Sequence, residues 1–268
     1  MKKLLALLLA GGMLMASVGC GNKEEAPNDA NNDAEATNAK FVLGLDDSFP
    51  PMGFRDDNNE IVGFDIDLAN AVCEEMGMEL ELKPIDWSTK EFELNSGKID
   101  CIWNGFTYRE ELTDVYAFSS PYLANNQIIA VKTDGDFKAK EDLVGKNIGV
   151  QSGSTAEDAL KSDEVLGDNC NPKGYAENIT ALQDLKLGRV DAVIIDEVVA
   201  RYYTTSNPEV TVLDGSLAEE VYVVGFKKGN DELLNKFQEA FNKVATSEKG
   251  VEIGEKWFGA DVILKPEA

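Results

Sequence analysis

Histidine is absent from all 268 residues. That removes imidazole general bases, Ser-His-Asp triads and His-ligated zinc together. Bases are scarce: 25 Lys and Arg stand against 49 Asp and Glu, for a net charge of −24. Such a chain repels phosphate backbones, which argues against a nucleic-acid partner. It also repels anionic membrane surfaces, so any attachment to a bilayer needs something other than a basic patch. Much of the acid reads as a solvated face. Long apolar runs are missing as well: Leu4 to Met15 is interrupted only by small residues but is too short to span a bilayer. No Asp-x-Asp-x-Asp-Gly loop for calcium occurs. Neither a metal nor a cofactor is expected.

What is present begins with an address. Lys2 and Lys3 precede the apolar run, and small residues lead to Ser17-Val18-Gly19-Cys20. This resembles a bacterial lipobox, in which Cys20 would be lipidated; Ser17 departs from the Leu preferred there, and a plain secretory signal is the alternative. The expectation is a signal peptide over 1–19 and a lipidated cysteine with a linker over 20–39, anchoring the protein to the outer face of the membrane. The linker has no large apolar residue to bury. Cys73, Cys101 and Cys170 remain, an odd number that cannot all pair. Cys73 and Cys101 lie in apolar patterns and read as small core residues, although one disulfide is compatible with the count.

The body alternates strands and helices, the pattern of an α/β fold. Strands are expected at 41–45, 61–64, 80–85, 99–103, 127–132, 147–151, 190–195 and 222–226. Asp65 is expected to cap a helix ending at Met76 with Gly77 as its stop, and Asn178 to cap one reaching Leu187. Further helices are expected around 90–96, over 155–160, from Glu197 and over 231–246. Two segments echo each other: LNSGKIDCIW from Leu94 and LKLGRVDAVI from Leu185. The repeat of one supersecondary unit implies two similarly built lobes.

The motifs DDSFPPMGF from Asp46, GFDIDLA from Gly63, SGKIDCIWNGFT from Ser96, FSSPY from Phe118, IGVQSGST from Ile148, GRVDAVIIDEVVA from Gly188 and KWFG from Lys256 run through the body in order. Together they resemble the polar amino-acid class of periplasmic solute-binding proteins, the receptors of ABC importers. The resemblance implies a two-lobed type 2 fold with the ligand in the cleft between lobes. It implies a discontinuous lobe over 40–124 and 221–268, a second over 125–220, hinge closure, a monomeric receptor and an importer permease as partner.

A free amino acid is a zwitterion, and burying it requires a partner for each charge. Asp196 ends an apolar strand, where a parallel sheet faces its cleft; the resemblance gives it the ligand's ammonium, while the residue alone reads equally as a helix N-cap. Gly153, Ser154 and Thr155 sit between a strand and a helix, where N–H groups can meet a carboxylate or simply be capped. By resemblance, Gly105 and Thr107 supply a backbone contact and a hydroxyl, and Asp46, Phe49 and Trp87 surround the ligand side chain. Trp103 reads as core or cleft wall. The family's carboxylate-clamping Arg is replaced here by Leu112, so Arg109 is the candidate substitute. Backbone donors alone, or a ligand without an α-carboxylate, are the alternatives. The missing Arg keeps amines and opines in view as ligands. An enzyme resembling cyclohexadienyl dehydratase is a further alternative, but no residue stands out as a catalytic acid.

Overall fold

A computed structural model describes residues 39–266. The signal peptide, Cys20 and nearly all of the linker lie outside the described residues. The element order is β1 (Lys40–Leu45), β2 (Ser48–Phe49), β3 (Gly53–Arg55), β4 (Ile61–Val62), α1 (Phe64–Met76), β5 (Glu79–Pro84), α2 (Lys90–Asn95), β6 (Cys101–Thr107), β7 (Tyr116–Phe118), β8 (Leu123–Lys132), β9 (Asn147–Gln151) and α3 (Thr155–Ser162). It continues with β10 (Asn171–Tyr175), α4 (Asn178–Lys186), β11 (Ala192–Asp196), α5 (Glu197–Ser206), β12 (Val210–Val212), β13 (Ala218–Lys227), α6 (Asp231–Ala245) and α7 (Glu248–Phe258).

The main sheet runs β10-β9-β11-β8-β13-β6-β1-β5, with β12 beside β8 and β7 beside β13. β5, β1 and β6 are parallel to one another, as are β10, β9 and β11. Two long strands join these halves. β8 pairs through Leu123–Gln127 with β13 and through Gln127–Val131 with β11. β13 pairs through Ala218–Tyr222 with β8 and through Tyr222–Phe226 with β6. Each strand therefore serves both halves, handing over near Gln127 and Tyr222.

The buried runs explain the elements. Every residue of β6 and β11 is buried, as expected of strands covered by helices on both faces. α6 turns Phe237, Ala240, Phe241, Val244 and Ala245 inward, where Phe237 and Phe241 meet Trp103 edge-on. Trp103 is fully buried core.

Two expected caps are corrected. α1 begins at Phe64 with Gly63 as its N-cap, and Asp65 does not cap it. The Asp65 carboxylate is fully buried and accepts from the Gly105 amide and the Tyr122 hydroxyl, both at 3.0 Å. Burial pushes it up to about 7. Asn178 is the first residue of α4 rather than its cap, and its amide donates to Gln151 Oε1 at 3.1 Å. In both cases a buried tertiary partner outcompetes the local helix end. The strand expected at 61–64 is the short β4, which ends at Val62 because Gly63 and Phe64 open α1; its partners β2 and β3, the strands β7, β10 and β12, and helix α7 are additional to the sequence reading. Cys73, Cys101 and Cys170 are free thiols.

Candidate functional site

The carboxyl ends of the parallel strands from both halves converge. β1 ends before Asp46, β6 in Gly105–Thr107, β9 in Gln151 and β11 in Asp196. Between them lies a narrow cavity, at the position where open α/β sheets hold ligands. Asp46, Phe49, Trp87, Gly105, Thr107, Arg109, Gly153, Ser154, Thr155 and Asp196 all line it. Lys90, Asn104, Phe106 and Gln151 line it as well and were not anticipated.

Asp46 is buried, with Oδ1 accepting from the Ser48 amide at 2.9 Å and Oδ2 from Gln151 Nε2 at 2.6 Å. Burial raises its carboxyl to about 6 against those hydrogen bonds. Gln151 is oriented by the Ala176 carbonyl at 2.9 Å and by Asn178. Gly105 has φ +61°, and a Cβ there would lie 2.6 Å from Phe49 Cε1 and 3.1 Å from Tyr222 Cζ, so glycine is required. Its N–H is committed to Asp65.

Asp196 occupies the N-cap position of α5 but makes no side-chain cap. Instead its Oδ1 accepts from Asn125 Nδ2 at 2.8 Å, Gln127 Nε2 at 2.8 Å and the Tyr222 hydroxyl at 2.6 Å. No donor reaches Oδ2 among the described residues. Gln127 Nε2 also reaches Thr155 Oγ1 at 3.2 Å, which lies 3.4 Å from Thr107 Oγ1.

The first turn of α3 is partly occupied. Ser154 is its N-cap and accepts from the Glu157 amide, while the Gly153 amide donates to Glu157 Oε2 at 2.8 Å. Thr155 lines the cavity as the first residue of α3, where a helix start leaves backbone N–H groups without an intrahelical partner. Two bases lie close by. Lys90 Nζ donates to the Gly153 carbonyl at 2.8 Å and sits 4.9 Å above the Trp87 ring. Burial, with help from Arg109, lowers Lys90 to about 8. Arg109 lines the cavity but spends Nη1 on Asp158 Oδ2 at 2.6 Å. Leu112 packs into the apolar cluster around Trp87, Ile102 and Phe106.

The residues of 41–260 match the model of the bacterial extracellular solute-binding proteins, family 3. The chain belongs to that family. It is 31% identical over 225 residues to the L-cystine-binding protein TcyJ of Escherichia coli (strain K12), covering 83% of this chain and 84% of that protein. It is 30% identical over 262 residues to the arginine-binding extracellular protein ArtP of Bacillus subtilis (strain 168), covering 96% and 98%. Among solved structures, a substrate-binding protein of an ABC uptake transporter from Streptococcus pneumoniae with bound histidine superposes with a TM-score of 0.81 at 36% identity, covering 84% of this chain and 95% of that one. An ancestral arginine-binding protein bound to arginine gives 0.78 at 40% identity, covering 83% and 100%. The two-lobed fold expected from the motifs is thereby established.

Lys90 and Gln151 escaped the sequence reading for different reasons. Lys90 lies on a short helix where a base reads as solvated. Gln151 lies inside the IGVQSGST motif as the last residue of a buried strand, and its partners Asp46, Ala176 and Asn178 are all distant in sequence.

Proposed function

We propose that this family member is the extracytoplasmic receptor of an ABC importer and closes on an α-amino acid. The observation that carries the reading is the convergence of all ten anticipated residues on one cavity, with Asp196 Oδ2 left without a donor to face an ammonium. The Thr155 N–H and Lys90 offer donors for the carboxylate. Asp46, Phe49 and Trp87 would surround the side chain, which favours one that donates to a carboxylate. Relatives named for arginine, cystine and histidine support this class.

The lobes are taken as 40–124 with 221–268, and 125–220; the handover of pairing in β8 and β13 supports those hinges. Bonds between Gln151 and Asp46, Lys90 and Gly153, and Arg109 and Asp158 would then cross the cleft and hold it shut. No enzymatic step is assigned. The polypeptide would be held at the membrane through Cys20, act as a monomer and hand its ligand to a permease; loss of fatty-acid labelling in Cys20→Ala is the expected result. A second reading has a specific observation behind it. Leu112 is packed in an apolar cluster and Arg109 is already paired with Asp158, so neither position offers an unpaired guanidinium to a carboxylate. An amine lacking that group remains a candidate.

A thermal-shift panel of the common amino acids, amines and opines decides between them. A ligand at 100 times its Kd stabilises by about 2.7 kcal/mol. A response to L-amino acids and none to the matching amines is expected. A response to amines alone overturns the amino-acid reading, and a chemically changed product after incubation overturns the receptor.

A further inference from the structure

Asp196 has an acidic neighbour. Glu220 on β13 accepts at Oε1 from Asn125 Nδ2 at 2.6 Å and from Gln127 Nε2 at 2.8 Å. These are the same two nitrogens that donate to Asp196 Oδ1, each at 2.8 Å. The four atoms close a ring of alternating nitrogen and oxygen. Since the two nitrogens cannot approach closer than van der Waals contact, sides this short hold the carboxylate oxygens within about 4.6 Å of each other. Asp196 opens on the inner cavity, whereas Glu220 lines the outer cleft with Thr107, Arg109 and Thr155.

Among the described residues no base pairs with either acid. β8 contributes only amides at this point, from Asn125, Asn126 and Gln127. β13 adds Glu219 and the Tyr222 phenol, which donates to Asp196. On α5, Glu197 is held by Asn126 and Arg201. On α3, Asp158 is paired with Arg109, which also approaches Glu111. Among the described residues, neither Asp196 nor Glu220 forms a salt bridge. Two adjacent carboxylates, one of them buried and the other half-buried, cannot both ionise freely. In accord with this, burial and the charge of Glu220 both push Asp196 above the ordinary carboxylate range.

We propose that Glu220 is a specificity-determining residue: with Asp196 it shares one proton in the ligand-free receptor, and a ligand's ammonium displaces that proton to solvent. The inference rests on the amino-acid reading and adds to it a second acid and a proton count. A permanently cationic nitrogen can take the proton's place, whereas a hydroxyl at the same point cannot. Affinity for an amino acid should therefore rise with pH through the range in which Asp196 gives up that proton.

Calorimetry with L-arginine, L-histidine and L-cystine in phosphate and in Tris at neutral pH counts the protons. Release of close to one proton per ligand is expected, falling by more than half in Glu220→Gln and unchanged in Glu219→Gln on the same strand. Glu220→Ala guards against a disruptive glutamine, and circular dichroism checks the fold of each variant. Buffer-independent heats in the unsubstituted protein, or full release from both Glu220 variants, overturn the proposal. Carboxyl ¹³C NMR of the ligand-free protein is a separate arm. Asp196 should titrate above the ordinary range and move down by at least one pH unit in Glu220→Gln; ordinary titration refutes the shared proton. Should none of the three amino acids bind, the ligand reading and the displacement step fall together, while the NMR arm still decides whether the acids share a proton.

Discussion

Glu93 pairs with Lys98 at 2.8 Å, and Asp184 pairs with Arg189 at 2.9 Å. Around each pair the same junction is built. Leu94 and Leu185 are buried; Gly97 and Gly188 turn the chain at φ +72° and +68°. The Lys98 amide donates to Glu93 O and the Arg189 amide to Asp184 O, closing the preceding helix in the same manner. Asp100 Oδ2 then accepts from the Val42 amide at 2.7 Å, and Asp191 Oδ2 from Asn147 at 2.9 Å, each tying its strand to the start of a parallel neighbour. The scaffold is thus repeated down to individual hydrogen bonds. The difference lies where the strands end. β6 finishes in Gly105 and Thr107, a close approach and a hydroxyl, while β11 finishes in the buried carboxylate Asp196. The junctions hold the sheet and the strand ends differ in what they bring to the cavity, so under the proposed function one unit would serve two halves with unequal roles in binding.

The sharpest way to break that comparison is at the strand ends. Asp196→Ala should weaken binding of the amino acid found in the thermal-shift panel by about a thousandfold, since it removes one member of a buried charge pair. Thr107→Ala should cost about tenfold or less, the worth of one neutral hydrogen bond. Equal losses by calorimetry would mean that the two strands share the work evenly. At the junctions the expectation reverses. Leu94→Ala and Leu185→Ala should each destabilise by about 3 kcal/mol in urea titrations, with similar values because both leave a cavity at an equivalent place. A loss confined to one of them would make the repeat a likeness of sequence only.

The acids at the cavity can be compared through pH. The Asp46 carboxyl is raised to about 6 from an ordinary 3.8, so the folded state binds its proton more tightly than the unfolded state. Ligand-free stability should then fall as pH rises from about 4 to about 6, by about 2 to 3 kcal/mol from this residue. Asp46→Asn should abolish that part of the slope, stabilising the ligand-free protein above pH 6 and doing little below pH 4. A slope unchanged in the variant would show that other groups carry it. The smallest effect is at the two turns. A Cβ meets nothing within 4 Å at Gly97 or Gly188, so alanine there should cost only the left-handed backbone, about 1 kcal/mol at each by thermal unfolding.

Much of this was legible in the residues. Apolar strands flanked by Gly-terminated helices identified the α/β fold, and the repeated Leu-x-x-Gly-base-x-Asp pattern marked the two junctions, because backbone stops and buried runs are local properties. Eight of the ten candidate residues could be named because each belongs to one of the family motifs, whereas Trp87 and Arg109 were named only by their positions in the family resemblance. The partners those residues choose were not legible. Nothing near Asp65 in sequence announces the amide of Gly105 or the hydroxyl of Tyr122, and nothing near Arg109 announces Asp158. Asp196 and Glu220 are 24 positions apart, and only the pairing of β8 with β11 and β13 brings them to the same two amides. Local sequence determined the elements, their stops and the residues that end them. Tertiary structure alone decided which buried charges share donors and which stand compensated, because those energies depend on distances between strands that the chain order does not contain.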